Sequence, residues 1–135
     1  MSENLDLVRS IYAAWEGGDY SSVEWADPDI EFVIADGPSP GRSTGLGGMA
    51  EMVGDDLKAF RAASQTAEDF RELDDQRVLV LNRYIAHGKT SGLSVRTKGA
   101  NLFHIVDSRI TKLVHYWDRD RALADLGLAG EKEAE

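Results

Sequence analysis

Leu5, Val8, Ile11, Tyr12 and Trp15 recur at steps of three and four residues, which predicts a helix over residues 3–16 with one apolar stripe. Gly17-Gly18 ends it, because glycine accepts the left-handed conformation that terminates helices. Ser21-Ser22-Val23-Glu24 has the form of a capping box and predicts a short second helix. That helix must stop near Asp27, where Pro28 disfavours helical geometry. From Ile30 the period becomes two, with Ile30, Phe32, Ile34 and Asp36 on one face of a strand and Glu31 and Val33 on the other. Gly37–Gly48 holds five glycines and two prolines and reads as a loop. A third helix follows, its buried stripe formed by Met49, Val53, Leu57 and Phe60.

The second half of the chain is dominated by period two. A short strand around Thr66–Phe70 leads to a turn at Asp74-Asp75. Arg77–Lys89 is a long strand with Val78, Val80, Asn82, Tyr84 and Ala86 on one face and Leu79, Leu81, Arg83, Ile85 and His87 on the other. Gly88–Gly92 turns the chain into Val95–Val106, Asp107-Ser108 makes a tight turn, and Ile110–Trp117 is the last strand. Asp118 caps a final helix, Arg119–Leu126, with Gly127 past its end. Helices followed by hairpin-linked strands give an α+β class, and consecutive strands joined by short turns must be antiparallel. The expected architecture is a cone-shaped, curved antiparallel sheet wrapped around the N-terminal helices, enclosing an apolar cavity. Both faces of Arg77–Lys89 are apolar, so the face away from the helices needs cover. A homodimer packed through the sheet would supply it. Residues 1–130 form one domain and 131–135 an acidic tail.

Charge and composition narrow the functional classes. The 135 residues carry a net charge of −9, which disfavours nucleic acid and anionic membrane surfaces as partners. There is no cysteine, so thiolate chemistry and disulfides are excluded. His87, His104 and His115 show no metal-ligand spacing, and neither a metal nor a cofactor is expected. The first residues lack the basic and apolar regions of a signal peptide, and no run approaches the ~20 apolar residues of a membrane span. A cytoplasmic protein is expected.

Three polar side chains fall on faces that should point into the cavity. Asp36 ends an apolar face just before the glycine-rich loop. It reads either as a turn aspartate bonded to amides or as a desolvated general base. Asn101 shares the inward set with Phe103 and Ile105, where an unsatisfied amide would cost ~1–3 kcal/mol. His115 lies with Leu113 and Trp117, and its ordinary pKa near 6.5 suits proton transfer. Tyr12, Trp15, Phe32, Ile34, Phe60, Asn82, Tyr84, Phe103 and Trp117 are the expected pocket wall. His87 and His104 fall on the other faces. Asp118-Arg119-Asp120-Arg121 reads as a helix cap and a solvated turn. Gly41–Gly45 lacks the Lys-Ser/Thr ending of a phosphate loop.

With Ala14-Trp15-Glu16-Gly17-Gly18-Asp19, Ala26-Asp27-Pro28-Asp29-Ile30 and Tyr116-Trp117-Asp118 in this order, the chain resembles the nuclear transport factor 2-like superfamily over Leu5–Leu128. The likeness is nearest to its SnoaL-like and ketosteroid isomerase-like small proteins. It implies a nuclear transport factor 2-like, or cystatin-like, α+β roll with a pocket at its open end. It also implies roles. Asp36 looks like the aspartate base of the steroid isomerases, and Asn101 stands where they carry a protonated aspartic acid as oxyanion donor. Their second donor, a tyrosine of the first helix, falls at Ile11, with Tyr12 one step round. His115 takes the place of the late-strand acid/base of SnoaL-type cyclases. An epoxide-hydrolase Asp-Arg-Asp trio is not matched, since Asn82-Arg83-Tyr84 and His115 lack two carboxylates. The resemblance implies a cofactor-free protein that takes a hydrophobic, carbonyl-bearing molecule. Such a protein catalyses isomerase- or cyclase-type proton transfer, or else binds without turnover. A scaffold or transport adaptor is a third class.

Overall fold

The structure, a computed structural model, describes residues 3–17, 24–36, 40–88 and 94–128. For 53–65, 84, 86–88, 94 and 95 it describes the backbone alone. Helix α1 spans Glu3–Glu16 and buries Val8, Ile11, Tyr12 and Trp15 of the predicted stripe, with Leu5 partly buried against them. The proposed second helix falls largely outside the described residues. Glu24 and Trp25 form a turn, and strand β1 already runs from Ala26 to Ile34.

The glycine-rich segment is more ordered than a loop. Gly41–Thr44 forms a short strand, β2, antiparallel to β1, and helix α2 starts at Gly45 and runs to Ala59. Glycine suits that junction because Gly45 has φ +88°. Phe60 is not a helical residue: it opens a 13-residue strand, β3, at Phe60–Glu72, far longer than the segment Thr66–Phe70. Strands β4 (Arg77–Gly88), β5 (Ser94–Val106) and β6 (Arg109–Tyr116) and helix α3 (Arg119–Asp125) follow. Asp118 caps α3 by accepting from the Asp120 amide at 3.0 Å. At its end the Leu128 amide donates to the Leu123 carbonyl and the Gly127 amide to that of Ala124, with Gly127 at φ +74°. This pattern satisfies two of the helix's orphan carbonyls.

The six strands lie in the order β2-β1-β6-β5-β4-β3 in one curved, unclosed sheet. The β3–β6 pairs are antiparallel, as expected, but β1 runs parallel to β6, so the sheet is mixed. The parallel pair arises because β1 and β6 are far apart in sequence and are not joined by a hairpin.

The two faces of β4 go to two separate clusters. Val78 and Val80 join α1, Ile30, Phe32, Ile34, Met49, Phe103, Ile105, Leu113 and Trp117 on the concave side. Leu79 and Leu81 join Ala100, Leu102, Val114 and Tyr116 on the other side, where Ala122 and Leu123 of α3 cover them. The chain's own last helix thus contributes to covering that face. Burying Leu123 fully contributes ~1.5–3 kcal/mol to that docking. Among the described residues no helix is long and apolar enough to cross a membrane.

Candidate functional site

Register brings the polar positions of the concave face together. Asn101 pairs with His115 across β5–β6 and with Val80 across β4–β5, while Asn82 pairs with Gly99. Asn82 and Asn101 are thus diagonal neighbours on one face. Tyr12 reaches them from α1. Its hydroxyl accepts from Asn101 Nδ2 at 2.6 Å and from Asn82 Nδ2 at 3.0 Å. On the far side, Asn101 Oδ1 lies 2.7 Å from His115 Nδ1. An amide oxygen only accepts, so Nδ1 carries the hydrogen and neutral His115 has its lone pair on Nε2.

All four members are buried, with Asn82 0% and Tyr12 and Asn101 2% exposed. Burial pushes the His115 pKa down to about 4, against a smaller opposing attraction from Asp36. The imidazole is neutral at pH 7.

Aromatic rings box in the phenol. Trp15 lies 5.0 Å from the Tyr12 ring, Phe70 5.7 Å and Phe103 6.1 Å, the last two edge-on. Trp117 stands edge-on to His115 at 5.9 Å. Phe32 and Ile34 are buried in the same cluster. The side chains of Phe60 and Tyr84, also expected in the wall, lie outside those described. A separate open cleft of about 340 Å³ lies between α1, Trp25 and Ser108, and none of the predicted site residues lines it. Among the described residues no group of His, Cys, Asp or Glu could hold a metal ion.

On α1 it is Tyr12, not Ile11, that reaches the polar cluster. Both are buried, but Tyr12 is the one whose hydroxyl meets Asn101. Asp36 is not on the strand face: β1 ends at Ile34, and the carboxylate turns to the end of β6. Its Oδ1 accepts from the Trp117 amide at 2.6 Å and its Oδ2 from the Asp118 amide at 3.2 Å. These amides belong to the β6–α3 junction; residues 37–39 of the loop that follows Asp36 lie outside the described residues.

The sequence pattern does not single out three residues that build this end of the sheet. Phe70 closes the short strand predicted around Thr66–Phe70, with no face assigned to it. Arg119 was expected in a solvated turn, yet its side chain is only 18% exposed and bonds to Glu68. Gly99 adjoins the site because a Cβ there would lie 2.4 Å from the Tyr116 carbonyl oxygen and 3.1 Å from Asn82 Oδ1. A glycine inside a strand pattern was the available signal for such close approach.

No family model matches the sequence, and no curated protein matches it. Solved structures do match in fold. A nuclear transport factor 2-like protein of Burkholderia pseudomallei superposes with a TM-score of 0.77 at 19% identity, covering 92% of this chain and 97% of its own. TerC, crystallised with polyporic acid, gives a TM-score of 0.75 at 19% identity over 96% of this chain and 99% of its own. A protein assigned as a SnoaL-like polyketide cyclase, from Jannaschia sp., gives 0.72 at 15% identity over 93% and 90%. The chain has the nuclear transport factor 2-like fold.

Proposed function

We propose that the protein binds a small, mostly apolar molecule bearing a carbonyl or hydroxyl group, in the manner of SnoaL-like and ketosteroid isomerase-like proteins. The observation that carries this reading is the buried Tyr12–Asn82–Asn101–His115 cluster. Two amides, a phenol and an imidazole are gathered in the middle of an otherwise apolar, aromatic concave face. A fully apolar core would be simpler to satisfy, whereas a few convergent polar groups in apolar walls are what a small-molecule site needs. A hydroxyl that accepts two N–H bonds is polarised by them and donates more strongly to an acceptor of its own. Tyr12 would then meet the ligand oxygen, with Asn82 and Asn101 behind it.

Binding without turnover is the better-supported form. The only carboxylate proposed as a base, Asp36, already accepts two backbone amides, and His115 is neutral. Cofactor-free proton transfer of the isomerase or cyclase type is the second reading. It is supported by the meeting of Tyr12 with Asn101, a phenol and an amide side by side, one step round α1 from the position at which the resemblance implies the second oxyanion donor.

Titrating the protein with polyporic acid and with a steroid ketone, followed by tryptophan fluorescence and native mass spectrometry, tests both. Saturable binding of one probe that weakens at least tenfold in Tyr12→Phe supports the site. Absence of binding at millimolar probe, or affinity unchanged in both Tyr12→Phe and Asn101→Leu, overturns it. Isomerisation of the ketone that disappears in Asp36→Asn would establish the catalytic reading instead.

A further inference from the structure

Two irregularities meet behind Asn82. On one side, β3 carries a bulge. Ala67 pairs with Asn82 and Asp69 with Leu81, so Glu68 is the extra residue with no partner on β4. On the other side, β5–β6 pairing reaches only Ala100 and Tyr116, one residue short of Gly99. The ladder is thus interrupted next to Asn82 and ends next to Gly99, and these two residues face each other across β4–β5.

Arg119, the first residue of α3, fills this place. Its Nη2 donates to the Asn82 carbonyl at 2.9 Å and to Glu68 Oε1 at 2.6 Å, and its Nε makes a long 3.5 Å contact with the Gly99 carbonyl. Glu68 balances the charge. Each of its oxygens has its own arginine, Oε1 taking Arg119 and Oε2 taking Arg83 at 2.6 Å. Bonding to Arg119 first, and then to Arg83, holds the Glu68 carboxyl below its ordinary pKa.

We propose that Arg119 is a positioning residue for the buried cluster: by holding the Asn82 carbonyl at the Glu68 bulge, it fixes the aim of the Asn82 amide at Tyr12. A bulge twists and loosens its strand pair, and a loosened Asn82 would let its Nδ2 swing off the phenol. The guanidinium prevents this because its planar fork reaches a carboxylate and carbonyls together, which a lysine ammonium on a flexible stem does not. The arrangement also links the two sides of the sheet. Arg119 belongs to the helix whose Ala122 and Leu123 seal the outer face, so docking of α3 and alignment of the concave cluster are set by one segment. The inference concerns how the cluster is held and stands whether or not the cluster takes a ligand.

The test is hydrogen exchange of the Asn82 side-chain amide by ¹⁵N NMR, with no ligand present. In Arg119→Lys, Asn82 Nδ2 hydrogens exchange at least tenfold faster than in the wild type. In Arg83→Lys, which disturbs the same carboxylate but no bond to Asn82, the rate stays within twofold. Wild-type exchange in Arg119→Lys, or equal acceleration in both variants, overturns the proposal. Should Arg119→Lys not fold, the wild type decides alone. A held guanidinium gives separate Nη2 hydrogen signals, and a single averaged line from free rotation overturns the proposal.

Discussion

Replacing His115 by asparagine should remove most of the protein's sensitivity to mild acid. The substitution keeps the local bond, because an asparagine Nδ2 can stand where the imidazole Nδ1 donates to Asn101 Oδ1 at 2.7 Å. It removes only the titration and some ring volume. In the folded chain the His115 pKa is pushed down to about 4, from 6.5 when exposed, chiefly by burial. The unfolded chain therefore binds a proton at higher pH than the folded one, and protons favour unfolding. Stability is full above pH 6.5, falls as the pH drops toward 4, and levels off below it. Each unit of difference corresponds to about 1.4 kcal/mol, so the 6.5-to-4 gap amounts to about 3 kcal/mol, with roughly 2 kcal/mol lost by pH 5.

Carboxylates and the half-buried His104 titrate in the same range, so the total loss in the wild type does not isolate His115. Those groups are common to both proteins. The difference between wild type and His115→Asn is the quantity to measure, by urea denaturation at pH 7, 6, 5 and 4. It should shift by about 3 kcal/mol in favour of the variant across that range, on top of a pH-independent cost of the lost ring. Parallel loss of stability in the two proteins would show that His115 is not a buried neutral imidazole, and the tautomer argument would fall with it.

Four further outcomes follow from named contacts. Tyr12→Phe leaves the Asn82 and Asn101 donors without their shared acceptor and should cost about 2–4 kcal/mol in urea unfolding at pH 7. Gly99→Ala places a methyl 2.4 Å from the Tyr116 carbonyl oxygen, a backbone contact that cannot rotate away. It should lower stability by about 3 kcal/mol or prevent folding, as thermal melts would show. Ser108→Gly should raise stability by about 0.5–1 kcal/mol in the same melts. Asp107 and Ser108 sit at φ 53° and 63° in a two-residue hairpin where glycine is unstrained at the second position. Leu123→Ala should cost about 2–5 kcal/mol in urea unfolding by uncovering the outer face of β4 and β5.

The parts of the fold legible in the sequence were those where one period ran unopposed. The α1 stripe, the two-faced alternation of β4 and the Asp118 and Gly127 signals around α3 all reappear at their positions. The misread segments are those where composition and tertiary pairing pull apart. Gly41–Thr44 looks like loop because it lies within the glycine- and proline-rich segment Gly37–Gly48, yet an edge position against β1 needs only a few backbone bonds. Phe60–Glu72 has no clean alternation because a bulge at Glu68 resets its faces midway. The parallel β1–β6 pair has no local signature, since nothing near either strand announces a partner some eighty residues away.

The site divides along the same line. Asn82, Asn101 and His115 could be placed on one face because strand register carries side chains with it, and Trp15, Phe103 and Trp117 were placed with them. Tyr12 against Ile11 could not be settled by a helical wheel, because both point inward and only the reach of the phenol separates them. Asp36 shows the limit most clearly. Extending the alternation two residues past Ile34 assumes that the strand continues, and it stops there because the carboxylate does a different job. Its oxygens take the Trp117 and Asp118 amides, continuing the contact between β1 and β6 with a side chain where the backbone ladder runs out. With Arg119 holding the other side of that junction, Trp117–Arg119 is fixed to the end of β1 and to the middle of β4 and β5. The rigidity of the polar cluster therefore depends on residues outside it.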